Sequence, residues 1–118
     1  MKILLVDDSM TMRRIQKTQL QQLGIADVVE ANNGKEALDC VSKNPDFSCV
    51  LLDWNMPEMD GPTFLKTIRA NEKNKDLKVI MCTSNAEKEK VMEALRAGAN
   101  GYIIKPFAAE ALKSKLGL

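Results

Sequence analysis

Ile3-Leu4-Leu5-Val6-Asp7-Asp8-Ser9 decides the reading of this 118-residue chain. Four apolar residues run without a break, then give way at once to two acids and a serine suited to start a helix. A strand with one wet face alternates apolar and polar residues. A continuous run fits a strand covered by helices on both faces, as in a parallel sheet. Val50-Leu51-Leu52 repeats the pattern and again ends in an acid, Asp53. Further short apolar runs begin at Val28, Val79 and Tyr102. The five runs start roughly 21 to 30 residues apart, enough for one strand, one helix and two loops.

The segments between them carry helix punctuation. Ser9 can cap a helix whose Met12, Ile15, Leu20 and Leu23 share a side at about 100° per residue, and Gly24 ends it. Asn33-Gly34 opens a second helix carrying Ala37, Leu38 and Val41, closed before Pro45. Asp60 or Gly61 precedes Pro62, a favoured first-turn residue, and Phe64, Leu65 and Ile68 then recur at helical spacing. Asn85 precedes a fourth helix, with Val91, Ala94 and Leu95 inward and Gly98 at its end. The last follows Pro106 and buries Leu112 and Leu116. Five strands and five helices in strict alternation predict one α/β domain over residues 1–118. The sheet should be parallel, with right-handed crossovers and helices on both faces.

Composition narrows the chemistry. With 17 Lys and Arg against 16 Asp and Glu, the formal charge is +1, which argues against nucleic acid or a membrane surface held by bulk charge. No apolar run approaches the length of a membrane-spanning helix, and the start turns acidic too soon for a secretory signal. Histidine is absent, so Ser-His-Asp triads, HExxH zinc sites and histidine phosphotransfer by this chain are excluded. Cys40, Cys49 and Cys82 lack CxxC spacing and read as reduced, buried residues of a cytoplasmic protein. What remains is carboxylates, lysine, hydroxyls and a metal.

Open parallel sheets bind ligands at the carboxyl ends of their strands, near the point where strand order reverses. The residues just past the apolar runs are Asp7 and Asp8, then Asp53, then Thr83 and Ser84, then Lys105. One such aspartate could simply cap the next helix, and a lysine before proline is usually solvated. Their joint placement on one rim favours a site. Three carboxylates together repel unless a cation compensates, and hard oxygen donors with room for waters suit Mg²⁺. A metal, a lysine and a hydroxyl around a carboxylate can stabilise the oxygens of a transferred phosphoryl group, which the carboxylate would accept.

Val6-Asp7-Asp8-Ser9, Asp53-Trp54-Asn55-Met56-Pro57, Thr83-Ser84 and Lys105-Pro106-Phe107, in this order, resemble the receiver domain of two-component response regulators. The likeness covers essentially the whole chain and is strongest to the chemotaxis members. It implies a flavodoxin-like fold with strand order 2-1-3-4-5. It makes Asp53 the phosphoacceptor. Mg²⁺ would be held by Asp8, Asp53 and the backbone carbonyl of Asn55, with Asp7 acting through water. Lys105 would pair with phosphoryl oxygens, Thr83 would turn toward them, and the Lys105–Pro106 bond would be cis. Tyr102, Lys88, Val91 and Lys115 would form the partner face of helix four, strand five and helix five. Partners implied are a CheA-like sensor histidine kinase and a FliM-like flagellar motor switch protein, with a phosphatase as a further candidate. The expected protein is monomeric, has no output domain and is not an enzyme beyond its own phosphorylation and dephosphorylation.

Alternatives keep part of this chemistry. A phosphorelay intermediate, or a receiver excised from a longer regulator, would share every motif. A Mg²⁺-dependent aspartyl-phosphate phosphohydrolase would need a second carboxylate where Asn55 stands and a cap that about 118 residues cannot supply. A flavodoxin-like electron carrier would need a phosphate-cradling loop and more aromatic residues than one Trp and one Tyr.

Overall fold

In the computed structural model, which describes every residue except 45, 55, 57, 84–87 and 106, and every remaining side chain except those of Lys88 and Lys90, strands and helices alternate along the chain. In order they are β1 (Lys2–Val6), α1 (Met10–Gln22), β2 (Asp27–Ala31), α2 (Gly34–Lys43), β3 (Cys49–Asp53) and α3 (Gly61–Arg69), followed by a 3-10 turn at Glu72–Asn74. β4 (Lys78–Thr83), α4 (Lys88–Arg96), β5 (Gly101–Ile104) and α5 (Ala109–Leu116) complete the series. The sheet is parallel throughout, in the order β2-β1-β3-β4-β5. This is the flavodoxin-like arrangement expected from the sequence.

Two-residue periodicity divides each strand between two cores. Leu4, Val6, Val50, Leu52, Val79 and Met81 face Ala37 and Val41 of α2, Phe64, Leu65 and Ile68 of α3, and Ala94 of α4. Ile3, Leu5, Cys49, Leu51, Ile80, Cys82 and Ile103 face Leu20 of α1 and Leu112 and Leu116 of α5. Burial on both sides explains the unbroken apolar runs of β1 and β3. Helix starts follow the anticipated caps. Ser9 Oγ, Asn33 Oδ1 and Asp60 Oδ1 accept from the backbone N–H of Met12, Glu36 and Thr63.

Two helix faces depart from the sequence reading. α1 buries Arg13, Gln16 and Leu20, whereas Ile15 is 49% exposed. At about 100° per residue, Arg13, Gln16, Leu20 and Leu23 lie within about 80° of one another, and Ile15 lies far around the helix. The first turns of α1 lie beside the polar ends of β1 and β2, where Arg13 finds oxygen partners. On α4, Ala94 is buried and Val91 half-buried, but Leu95 is 41% exposed. This short helix meets the core along a narrow seam, which leaves Leu95 outside it.

Candidate functional site

Alternation along the strands brings three charged side chains to one place. Asp7 continues the face of Ile3 and Leu5, Asp53 that of Cys49 and Leu51, and Lys105 that of Ile103. All three leave the carboxyl end of the sheet on the side covered by α1 and α5. Backbone bonds carry the ladder just past the strand ends: Asp7 N–H donates to Ala31 O at 3.1 Å, and Lys105 N–H to Thr83 O at 2.7 Å.

Lys105 Nζ then bridges two carboxylates, lying 2.6 Å from Asp7 Oδ2 and 3.2 Å from Asp53 Oδ1. Asp7 is almost fully buried, and its other carboxylate oxygen accepts from Ser9 N–H at 2.9 Å. Asp8 stands exposed beside them, and carboxylate oxygens of Asp7, Asp8 and Asp53 lie within 4.8 Å of one another. Burial pushes the Asp53 carboxyl up to about 6, with the negative charges of Asp7 and Asp8 adding to the effect and Lys105 opposing it. Burial alone would lower the Lys105 pKa, but Asp7 and Asp53 outweigh it, so the net shift is upward.

One ammonium does not balance three carboxylates. The donors are hard oxygens, and exposure of Asp8 leaves the cluster open to water, so the group could hold a divalent metal that retains part of its hydration shell.

The loop after β3 is held by close backbone approach. A Cβ on Gly61 would lie 2.7 Å from Trp54 Cε3 and 2.9 Å from Asp53 O, and Gly61 N–H donates to Trp54 O at 3.1 Å. A Cβ on Gly34 would lie 2.7 Å from Met59 O, which accepts from Gly34 N–H. Between these two clamps Glu58 adopts φ +64°, a conformation unusual for a residue with a side chain. Trp54, directly after Asp53, is buried in the core on the α2–α4 side.

Thr83 ends β4, buried, two residues past Met81. Tyr102 is half-buried opposite Met81, and Lys115 Nζ lies 5.2 Å from the centre of its ring. Tyr102 and Lys115 line a groove of about 440 Å³ together with Ile104, Phe107 and Ala111. Val91 packs against the neighbouring core. The Asn55 carbonyl, the Lys88 side chain, Ser84, Asn85 and the peptide bond to Pro106 fall outside the described residues.

Sequence reasoning missed several contributors. Arg13 Nη1 donates to Asp7 O at 2.6 Å, and its Nε to Glu30 Oε1 at 3.1 Å. Gln19 Nε2 donates to Phe107 O, tying α1 to the segment between β5 and α5. Ile104 and Met92 are exposed apolar residues of β5 and α4. An arginine at an inward helical position was the one available signal. The glycine clamps had none, because they depend on how two loops approach.

The profile of the response regulator receiver domain matches residues 3–117. The chain belongs to that family. This receiver is 51% identical over 116 residues to the chemotaxis protein CheY homolog of Campylobacter jejuni, spanning 98% of this chain and 89% of that relative. It is 53% identical to the chemotaxis protein CheY-3 of Vibrio cholerae, across 98% of this chain and 88% of the relative. The solved structure of Vibrio cholerae CheY4 superposes with a TM-score of 0.90 at 36% identity, covering 98% of this receiver and 95% of that chain. Among the described residues no helix is long and apolar enough to cross a membrane.

Proposed function

We propose that this receiver is a phosphorylation-switched chemotaxis regulator whose phosphoacceptor is Asp53. The observation that carries the reading is the Lys105 ammonium shared between Asp7 and Asp53, set among three carboxylates whose oxygens lie within 4.8 Å. A carboxylate pushed up to about 6 remains mostly ionised at neutral pH, so Asp53 can act as nucleophile. An Asp53 oxygen would form the bond to phosphorus as the bond to the donor, a histidine nitrogen of a CheA-like kinase, breaks. Lys105 is already within reach of the carboxylate oxygens and would transfer its hydrogen bond to the incoming phosphoryl oxygens. Mg²⁺, held by Asp8 and Asp53 with Asp7 through water and the Asn55 carbonyl as further ligand, would supply charge neutralisation at those oxygens.

Added charge at Asp53 would draw Thr83 toward it, and Tyr102 would follow into the space released. The groove beside Tyr102 and Lys115, with exposed Ile104, would then present an aromatic, aliphatic and cationic surface suited to an acidic amphipathic peptide. A FliM-like motor switch protein is the partner that fits a chemotaxis regulator, with Val91 of α4 as a further contact. We assign the protein to the cytoplasm and to a monomeric form. The test is incubation with acetyl phosphate and Mg²⁺, followed by peptide mapping. One labile phosphoryl group on Asp53, lost in Asp53→Asn, is the expected result; modification at any other residue defeats the assignment.

A further inference from the structure

Arg13 is a buried cation that the proposed chemistry leaves without a task. It is 8% exposed, and its hydrogen bonds go to a backbone carbonyl, Asp7 O at 2.6 Å, and to Glu30 Oε1 at 3.1 Å. Burying a guanidinium is expensive, and replacing a buried ion pair as a whole by apolar side chains of similar volume often serves stability as well or better. Of the two contacts, the one that reaches the rim is the bond to Asp7 O.

That carbonyl belongs to the peptide joining Asp7 to Asp8. Asp7 N–H is held by Ala31 O, Oδ1 accepts from Ser9 and Oδ2 from Lys105. With Arg13 on the carbonyl, all four polar atoms of Asp7 are fixed. The Asp8 side chain, by contrast, is exposed, and among the described residues no ion pair restrains it. The direction in which Asp8 leaves the chain is therefore set by the peptide plane that Arg13 grips.

We propose that Arg13, seated by Glu30, is a positioning residue that aims Asp8 at the metal; this rests on the Mg²⁺ reading above. Charge and position make opposite demands. Removing a positive charge near the rim would by itself tighten binding of a dication. Loss of the grip on the Asp7–Asp8 peptide would weaken it, by about tenfold if Arg13 behaves as supporting residues around metal ligands generally do.

The experiment is a Mg²⁺ titration read by Trp54 emission and by the rise in unfolding midpoint. It is run on the wild type, Arg13→Met, Arg13→Gln and Glu30→Gln, with urea unfolding in EDTA alongside. The dissociation constant should rise about tenfold in both Arg13 variants and less in Glu30→Gln. Unfolding of Arg13→Met in EDTA should shift to lower urea, because Glu30 and the Asp7 carbonyl lose their partner. The rate with acetyl phosphate should recover at saturating Mg²⁺, placing the loss in half-saturation. Unchanged or tighter Mg²⁺ binding overturns the role of Arg13, as does weakening that merely tracks lost stability across the variants. A wild type with no Mg²⁺ response removes the metal reading and this inference together; a responsive wild type with indifferent variants removes only the latter.

Discussion

Asp53 is a charged group held where charge is disfavoured, and its protonation should be visible in stability. Burial is the main cause, followed by the opposing pull of Lys105 and the repulsion from Asp7 and Asp8, with the result near 6 against an ordinary 3.8. A carboxyl whose pKa is raised on folding contributes stability that is complete below its unfolded value and is lost as pH rises through its folded value. Without metal, Asp53→Asn should therefore be more stable than wild type at pH 8, by about 1–3 kcal/mol. That advantage should shrink as the pH falls through 6 toward 4. Urea unfolding of both proteins in EDTA across this range measures the difference; a gap independent of pH would show that Asp53 does not titrate as described. The proton and a dication compete for the same oxygens, so Mg²⁺ should stabilise the wild type more at pH 8 than at pH 5.

At the scale of elements, the start of α3 is fixed by a contact that tolerates no extra atom. A methyl group on Gly61 would meet both the Trp54 ring and the Asp53 carbonyl. Gly61→Ala should cost about 1–3 kcal/mol, as overpacking of a tight interior site does. It should also shift Trp54 emission in the folded protein. Native emission with unchanged stability would mean that the loop yields freely. The elements themselves were largely legible in the sequence, because apolar runs covered on two faces, together with Ser9, Asn33 and Asp60 as caps, are local signals. The inward side of α1 was not. Apolar periodicity counts Ile15 as core and cannot register Arg13, whose partners are a carbonyl and a carboxylate from other strands. Asp7, Asp53 and Lys105 could be read because each directly follows an apolar run at the carboxyl end of a strand. The glycine clamps could not, since their meaning lies in the distance between segments.

Across the whole molecule, Lys105 connects β5 to carboxylates at the ends of β1 and β3. Tyr102 packs against the core on the opposite side of the sheet, and Thr83 ends β4. Lys105 stands next to Asp53, so its removal tests how new charge there is registered. Lys105→Ala should retain the far-ultraviolet circular dichroism of the fold and still take a phosphoryl group on Asp53 in Mg²⁺. Its affinity for an acidic amphipathic peptide should no longer respond to phosphorylation. A response equal to that of wild type in a calorimetric titration would take the switching role away from this residue.

The bond between Lys105 and Asp7 joins residues 98 positions apart, the first strand to the segment just beyond the last. A ribosome therefore releases Asp7 and Asp8 early and their counter-ion late. Until residue 105 has emerged, the nascent chain carries these acids without the lysine that offsets them. The structure thus ties assembly of this charged cluster to the emergence of Lys105, so a chain interrupted before that residue would lack it.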